Sequence, residues 1–190
     1  MNKDRPVVAD LGGGYGKLAY FTLRDLPQFS FIDFDLPEVL CLATYYLMKT
    51  FPHKKAMLYR EEPYSEESHN KYDLIFMPSF KIEEVGSNSV DLFMNKNSLG
   101  EMARESVENF VSNIARATSG YFFHMNHDNY PNIYENGRVG LLGSEYPVPG
   151  DEFNLLLRYP DIGALLSQGW LDLNADRFFY LYERKSENSN

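Results

Sequence analysis

Glycine at alternate positions just after an acid, Asp10-Leu11-Gly12-Gly13-Gly14-Tyr15-Gly16, is the stretch of this chain best suited to hold a ligand. Gly12, Gly14 and Gly16 leave the backbone bare, so it can turn tightly through positive φ and approach a nucleotide or nucleoside closely. Asp10 brings a negative charge to the same place. Asp33 and Asp35 end the next apolar run, about 20 residues beyond the glycines, where a carboxylate in a nucleotide-binding sheet accepts hydrogen bonds from ribose hydroxyls. Either acid suits that role, and Asp35 is also placed to cap a helix with Pro37 in its first turn. Two further apolar runs end in Asn95-Lys96-Asn97-Ser98 and in Asn126-His127-Asp128. Histidine is matched to proton transfer near neutral pH. His53 and His69 fall in polar connecting stretches and His124 lies inside an apolar run, while His127 lies just beyond that run and is the favoured base, with an ordinary turn residue beside asparagines as its alternative.

These residues need elements that bring them together. Val7 to Asp10 reads as a buried strand, and Leu18, Ala19, Phe21, Thr22 and Leu26 recur at helical spacing until Pro27 stops the helix. Phe29 to Phe34 is the second strand, followed by a helix over about Leu36 to Thr50. The polar stretch from Phe51 to Asn70 is expected as a solvated loop or ragged helix. Tyr72 to Met77 and Val90 to Met94 are the third and fourth strands. An amphipathic helix with Met102, Val107, Phe110, Val111 and Ile114 on its apolar face runs to about Thr118, and Tyr121 to Met125 is the fifth strand. Pro131 to Gly150 is too irregular for one element. The tail reads as a strand near Phe153 to Arg158, a helix from Pro160 to Gln168 and a last strand from Arg177 to Tyr182. Strands alternating with helices predict an α/β, doubly wound, mostly parallel sheet, in which ligands bind beyond the carboxyl ends of the strands. Asp10 and the glycines, Asp35, Asn95 to Ser98 and Asn126 to Asp128 all fall at such ends, and a core has no need of that convergence.

Composition narrows the partners. The 190 residues suit a single domain, 1–190, and 44% hydrophobic with 15% aromatic content excludes a disordered chain. The net charge of -9, with no Lys/Arg cluster longer than a pair such as Lys54-Lys55, argues against nucleic acid. No apolar run reaches membrane-spanning length and no signal segment opens the chain, so no membrane partner and a cytoplasmic location are expected. The single cysteine, Cys41, sits in the run Val39-Leu40-Cys41-Leu42-Ala43 and is expected to be buried. Asp91, Asp128 and Asn129 carry oxygen donors, but no metal is expected from them.

The pattern DxGxGxG at Asp10 to Gly16 resembles the first motif of class I S-adenosylmethionine-dependent methyltransferases, whereas a dinucleotide fingerprint reads GxGxxG. The longer piece GGGYGKLAYFTLRDLPQFSFIDFDLPEV resembles plant-type small-molecule O-methyltransferases, with a glycine motif, a helix ending at proline and a strand running into FDLPxV. The pieces PSF, VDLFMNKNSLGEM and FFHMN resemble bacterial sugar O-methyltransferases, on Asp91, Asn95, Ser98, Glu101, Met102 and Asn126. The resemblance implies a Rossmann-like sheet with an antiparallel last strand and S-adenosylmethionine as cofactor. It places Asp10 near the cofactor's ammonium group, Gly12, Gly14 and Gly16 beneath its amino-acid part and Asp35 on the ribose. Ser79 and Phe80 would flank the adenine, with core packing as the alternative for Phe80, and Asn95 joins the cofactor set.

The implied reaction is methyl transfer to a hydroxyl of a sugar or other small metabolite, with His127 as base and Asp128 or Glu101 orienting its ring. Asn95, Ser98 and Asn126 would hold the acceptor hydroxyl, beneath a lid at 127–150 bearing Tyr130, Tyr134 and Tyr146. Such enzymes usually carry a sizeable segment before the first strand, and here only Met1 to Pro6 precede it, so the expectation is either a catalytic-core fragment or single-domain relative, or a homodimer partner or second subunit that covers the site. The competing expectation is a non-catalytic Rossmann-like module that keeps the cofactor and serves as a partner or regulatory subunit. A nicotinamide dehydrogenase is excluded by the glycine spacing.

Overall fold

The computed structural model describes residues 5–26, 28–167 and 176–186. Strand β1 (Val7–Leu11) leads through the glycines into α1 (Lys17–Asp25), and β2 (Ser30–Asp35) into α2 (Pro37–Thr50). A short strand β3 (Ala56–Leu58) and a helical turn α3 (Ser68–Lys71) precede β4 (Leu74–Pro78), which passes into a 3₁₀ segment at Ser79–Glu84. Then come β5 (Val90–Lys96), a 3₁₀ turn at Leu99–Glu101, α4 (Arg104–Ala117) and β6 (Thr118–His127). Strand β7 (Phe153–Pro160), helix α5 (Ile162–Ser167) and strand β8 (Arg177–Arg184) complete the fold. The expected helix stop at Pro27 and helix end at Gln168 lie outside the described residues.

The eight strands form one sheet in the order β3-β4-β2-β1-β5-β6-β8-β7. Strands β1 to β6 are parallel, while β8 lies antiparallel between β6 and β7. This is the α/β architecture of class I methyltransferases, with the antiparallel closing strand in its expected place. The chain proceeds from β1 to β2 on one side and returns to β5 on the other, so strand order reverses beside β1. Such a switch point opens a crevice at the carboxyl ends of the strands.

Alternation along each strand sends neighbouring side chains to opposite faces. On one face Val8, Phe31, Leu74, Phe76 and Met94 pack under α1 and α2, which bury Ala19, Leu23, Leu40, Ala43 and Leu47 at helical spacing. On the other face Ala9, Leu11, Ile32, Phe34, Ile75 and Phe93 pack under Val107, Val111 and Ile114 of α4. A parallel sheet covered on both faces explains why these strands read as unbroken apolar runs.

Two expectations are corrected. The stretch from Phe51 to Asn70 is not loop throughout: Ala56–Leu58 adds an edge strand, pairing through Met57 with Ile75. Only Met57 of its three residues is buried, so apolar periodicity over so short a run gave no signal. Cys41 is exposed, not buried. It lies on the outer side of α2, whose buried stripe is Leu40, Ala43 and Leu47.

Candidate active site

The glycine loop is built by its backbone. Gly12, Gly14 and Gly16 have φ of 78°, 62° and 87°, the left-handed region that favours glycine. Space matters as much as torsion at Gly12, where a Cβ would come within 2.2 Å of Ser98 Oγ. A Cβ at Gly14 would meet nothing within 4 Å, so this part of the loop faces the open crevice. Gly12 N–H donates to Phe34 O at 2.6 Å and Gly14 N–H to Asp35 Oδ2 at 2.7 Å, tying the loop to the end of β2.

Three acids surround this loop. Asp35 stands at the end of β2, its second oxygen accepting the N–H of Leu36 at 2.7 Å. The N-cap of α2 is Leu36, with Pro37 in the first turn, so Asp35 acts on the glycine loop rather than as the cap. Asp10 and Asp33 are register partners on β1 and β2 and are almost wholly buried. Burial and, after it, the Asp35 charge push the Asp10 carboxyl up to about 7, against a smaller opposing pull from Lys96. Asp33 is raised well above the carboxylate range by burial, then by Asp10 and Asp35. Asp10 Oδ1 and both Asp33 oxygens have no hydrogen-bond partner among the described residues. A buried acceptor without a partner costs about 1–3 kcal/mol, so a cationic donor in the crevice would find Asp10 already desolvated and waiting.

Asn95 is fully buried, and its amide is committed to holding strands together. Its Nδ2 donates to Leu11 O at 2.8 Å and to Ser98 Oγ, and Ser98 Oγ donates to the same Leu11 carbonyl at 2.9 Å. Asn126 Nδ2 donates to Asn95 Oδ1 at 2.9 Å, and Asn126 Oδ1 accepts Gly100 N–H at 3.1 Å. The asparagines and serine expected around the acceptor thus form a clamp joining β1, β5, β6 and the turn after β5. Asp91 lies at the opposite end of β5, where it accepts Val7 N–H at 2.9 Å.

His127 ends β6 beside that clamp, its Cδ2 within 3.5 Å of the position a Cβ would take on Gly100. Its Nδ1 lies 2.5 Å from Asp176 Oδ2. The orienting acid is therefore Asp176, which also accepts Tyr130 N–H, and not Asp128 or Glu101. Asp128 is taken up by Arg158, by Tyr180 OH at 2.8 Å and by Ser144 N–H at 2.7 Å. Burial alone would raise it, but these bonds outweigh burial and hold it below the usual carboxylate range. Glu101 is exposed in the turn after β5. Asp176 precedes β8, and only the antiparallel β6–β8 pairing brings it to His127, so no local spacing could have marked it.

The stretch from 129 to 150 packs across the turn after β5. Asn132 Nδ2 donates to Gly100 O, Tyr134 OH to Met102 O, and Leu141 and Tyr146 are buried. Phe80 is 58% exposed, so it is not core, and with Ser79 it opens the 3₁₀ segment just past β4. Pro78, register partner of Asp35, and Pro37 begin an apolar groove of about 760 Å³ that runs along α2 past Cys41, Tyr45 and Met48. Among the described residues no three His, Cys, Asp or Glu side chains converge as metal ligands, and no helix is long and apolar enough to cross a membrane.

Comparison with solved structures agrees with the fold. The chain superposes on mitomycin 7-O-methyltransferase MmcR with a TM-score of 0.60 at 13% identity, covering 95% of this chain and 49% of that one. An S-adenosylmethionine-dependent methyltransferase from Mesorhizobium loti gives 0.61 at 12% identity, over 93% and 90% of the two chains. Magnesium protoporphyrin IX methyltransferase from Synechocystis, solved with S-adenosylmethionine bound, gives 0.62 at 12% identity, over 95% and 71%. The chain thus spans about half the length of the mitomycin enzyme and most of the other two. No protein-family profile and no curated protein sequence matches it.

Proposed function

We propose that this chain is an S-adenosylmethionine-dependent O-methyltransferase acting on a hydroxyl of a sugar or similar small metabolite. The observation that carries the reading is the conjunction at the switch point. An open glycine cradle, a desolvated Asp10 with an oxygen unpaired among the described residues and the Asp35 carboxylate meet at the carboxyl ends of the strands. These residues fit the cofactor. Asp10 would take its ammonium group, the glycine loop would pass beneath its amino-acid part, and Asp35 would accept the ribose hydroxyls while keeping the loop in register. Ser79 and Phe80 would border the adenine. When bound, S-adenosylmethionine supplies a methyl group on a positively charged sulfur.

The protein's share is alignment and proton removal. A hydroxyl must lose its proton as it attacks, and in this reading His127 takes it. With Nδ1–H donating to Asp176, the imidazole is held in the tautomer that leaves Nε2 to accept a proton, and the imidazolium that forms is stabilised by the same carboxylate. Asn95, Ser98, Asn126 and Gly100 fix the turn against which the acceptor lies, and the 129–150 segment covers it. Glu101 is exposed on that turn and does not hold the histidine, whose partner is Asp176; in this reading it is left to contact the acceptor. The resemblance to sugar methyltransferases supports a hydroxylated acceptor, which a second copy or subunit would help enclose.

The test is release of S-adenosylhomocysteine over a panel of sugars and small alcohols. Turnover with an acceptor should fall about 100-fold or more in His127→Ala. Asp176→Asn should also fall, with donor affinity unchanged in both. Undiminished turnover in His127→Ala would remove the base from this account. Tight donor binding without product from any acceptor would replace the enzyme with a non-catalytic module.

A further inference from the structure

Asp33 has no part in the reaction above, yet a fully buried carboxyl with neither oxygen paired among the described residues demands an explanation. Asp10 and Asp33 are register partners on adjacent parallel strands, so their side chains leave the same face of the sheet about 5 Å apart. Three of their four carboxyl oxygens lack a partner among the described residues. Gly13 lies directly over Asp33, and a Cβ there would come within 2.4 Å of Asp33 Oδ1. The floor of the glycine loop is therefore a carboxyl group, and the loop closes over it only because position 13 is glycine.

Apolar surroundings leave little else to bond. Along the same row Asp33 has Phe76 of β4 beside it and Asp10 has Met94 of β5. The helices packed on that face present Ala19 and Leu23 from α1 and Leu40, Ala43 and Leu47 from α2. The charged groups facing the pair are Asp35 at the end of β2 and Lys96 at the end of β5. Two ionised carboxylates cannot share so dry a place, whereas one proton between them satisfies an oxygen on each.

We propose that Asp33 is a positioning residue that keeps its proton and donates it to Asp10, holding Asp10 as the carboxylate that binds a cationic ligand group beneath the glycine loop. Resting on the cofactor reading above, this makes binding an exchange. The doubly protonated pair releases one proton to solvent as the ligand's ammonium group arrives, and the remaining proton stays in the Asp33–Asp10 bond. Burial raises both acids, Asp10 to about 7 and Asp33 well above its ordinary value, in keeping with a pair that holds protons where free carboxylates have lost them. Donor affinity should therefore rise with pH, roughly tenfold per unit below about pH 7, and level off above it.

Calorimetric titration with S-adenosylhomocysteine, whose ammonium group matches the donor's, tests this across pH and in two buffers of different ionisation enthalpy. Wild type should release a proton on binding near neutral pH. Asp33→Asn, whose amide still donates to Asp10, should keep the wild-type profile within about threefold. Asp33→Val, which donates nothing, should move the inflection upward by about one pH unit, an affinity about fivefold weaker at neutral pH and about tenfold weaker below it. Superimposed profiles for wild type and Asp33→Val, or an equal displacement in Asp33→Asn, would overturn the proposal. NMR titration of carboxyl-labelled aspartates in ligand-free wild type and Asp33→Val reads the same pair without any ligand. If neither S-adenosyl compound binds at any pH, the cofactor reading falls, while an Asp10 titration that shifts upward in Asp33→Val still establishes the carboxyl pair. An unshifted Asp10 sinks the pair on its own, even where the ligand binds.

Discussion

Residues at this site are held by exclusions as much as by bonds. Gly12 shows it most sharply, because its φ of 78° and the 2.2 Å approach of a Cβ to Ser98 Oγ exclude a side chain on separate grounds. Gly12→Ala would have to displace Ser98 from Leu11 O and Asn95, undoing the clamp between β1 and β5. A left-handed alanine costs about 1–3 kcal/mol and the lost hydrogen bonds add to it. We expect a fall in urea midpoint worth about 2–4 kcal/mol together with loss of donor binding. Gly14→Ala is the control, since its Cβ meets open space. It should lose donor affinity with a smaller loss of stability, and equal loss of stability in the two variants would contradict the geometry.

At the scale of elements, apolar periodicity and glycine chemistry made the centre of the fold legible. The runs Val7 to Asp10, Phe29 to Phe34 and Val90 to Met94 became β1, β2 and β5 because buried parallel strands carry a local signature of continuous apolar residues. Edge strand β3 carries no such signature, since half-exposed residues over three positions have no period to read. Gly12, Gly14, Gly16 and Asp35 were legible as one group because loop and strand end are joined within a single β-α-β unit. The partner of His127 was not, because Asp176 arrives through the β6–β8 register across 49 positions of chain. The same distance effect redirected Asp128. Its place after β6 suggested a catalytic neighbour, whereas Arg158 of β7 and Tyr180 of β8 draw it into a packing network. Asn95 and Asn126 are legible as polar groups near the ends of β5 and β6, with Ser98 in the turn just beyond β5. That they bond chiefly to one another depends on inter-strand distances that spacing does not reveal.

Across the whole molecule, two buried groups pull stability in opposite directions with pH. His124 stacks on Tyr180 at 4.6 Å between ring centroids, inside the sheet, and burial drives its pKa down from 6.5 to about 3, with Asp128 opposing weakly. A depressed histidine favours the folded state while neutral, so its contribution is complete above pH 6.5 and is lost as pH falls toward about 3. Asp10 has the reverse sign. Its folded pKa is raised to about 7 from 3.8, so its contribution is complete below 3.8 and is lost as pH rises through about 7. His124→Phe keeps the aromatic stack and removes the first effect. Urea midpoints measured from pH 6.5 down to 4 should therefore fall less steeply in the variant than in wild type. Parallel slopes would mean that His124 is not the group that titrates.

The central claim is that the crevice beside β1 takes S-adenosylmethionine, and calorimetric titration of the purified chain tests it most directly. Titrations with S-adenosylmethionine, S-adenosylhomocysteine and NAD, each repeated on Asp35→Ala, separate the possibilities. The account predicts micromolar binding of both S-adenosyl compounds, on the order of 8 kcal/mol, none of NAD, and loss of binding in Asp35→Ala. Unchanged binding by Asp35→Ala, or NAD bound in place of the S-adenosyl compounds, would contradict it.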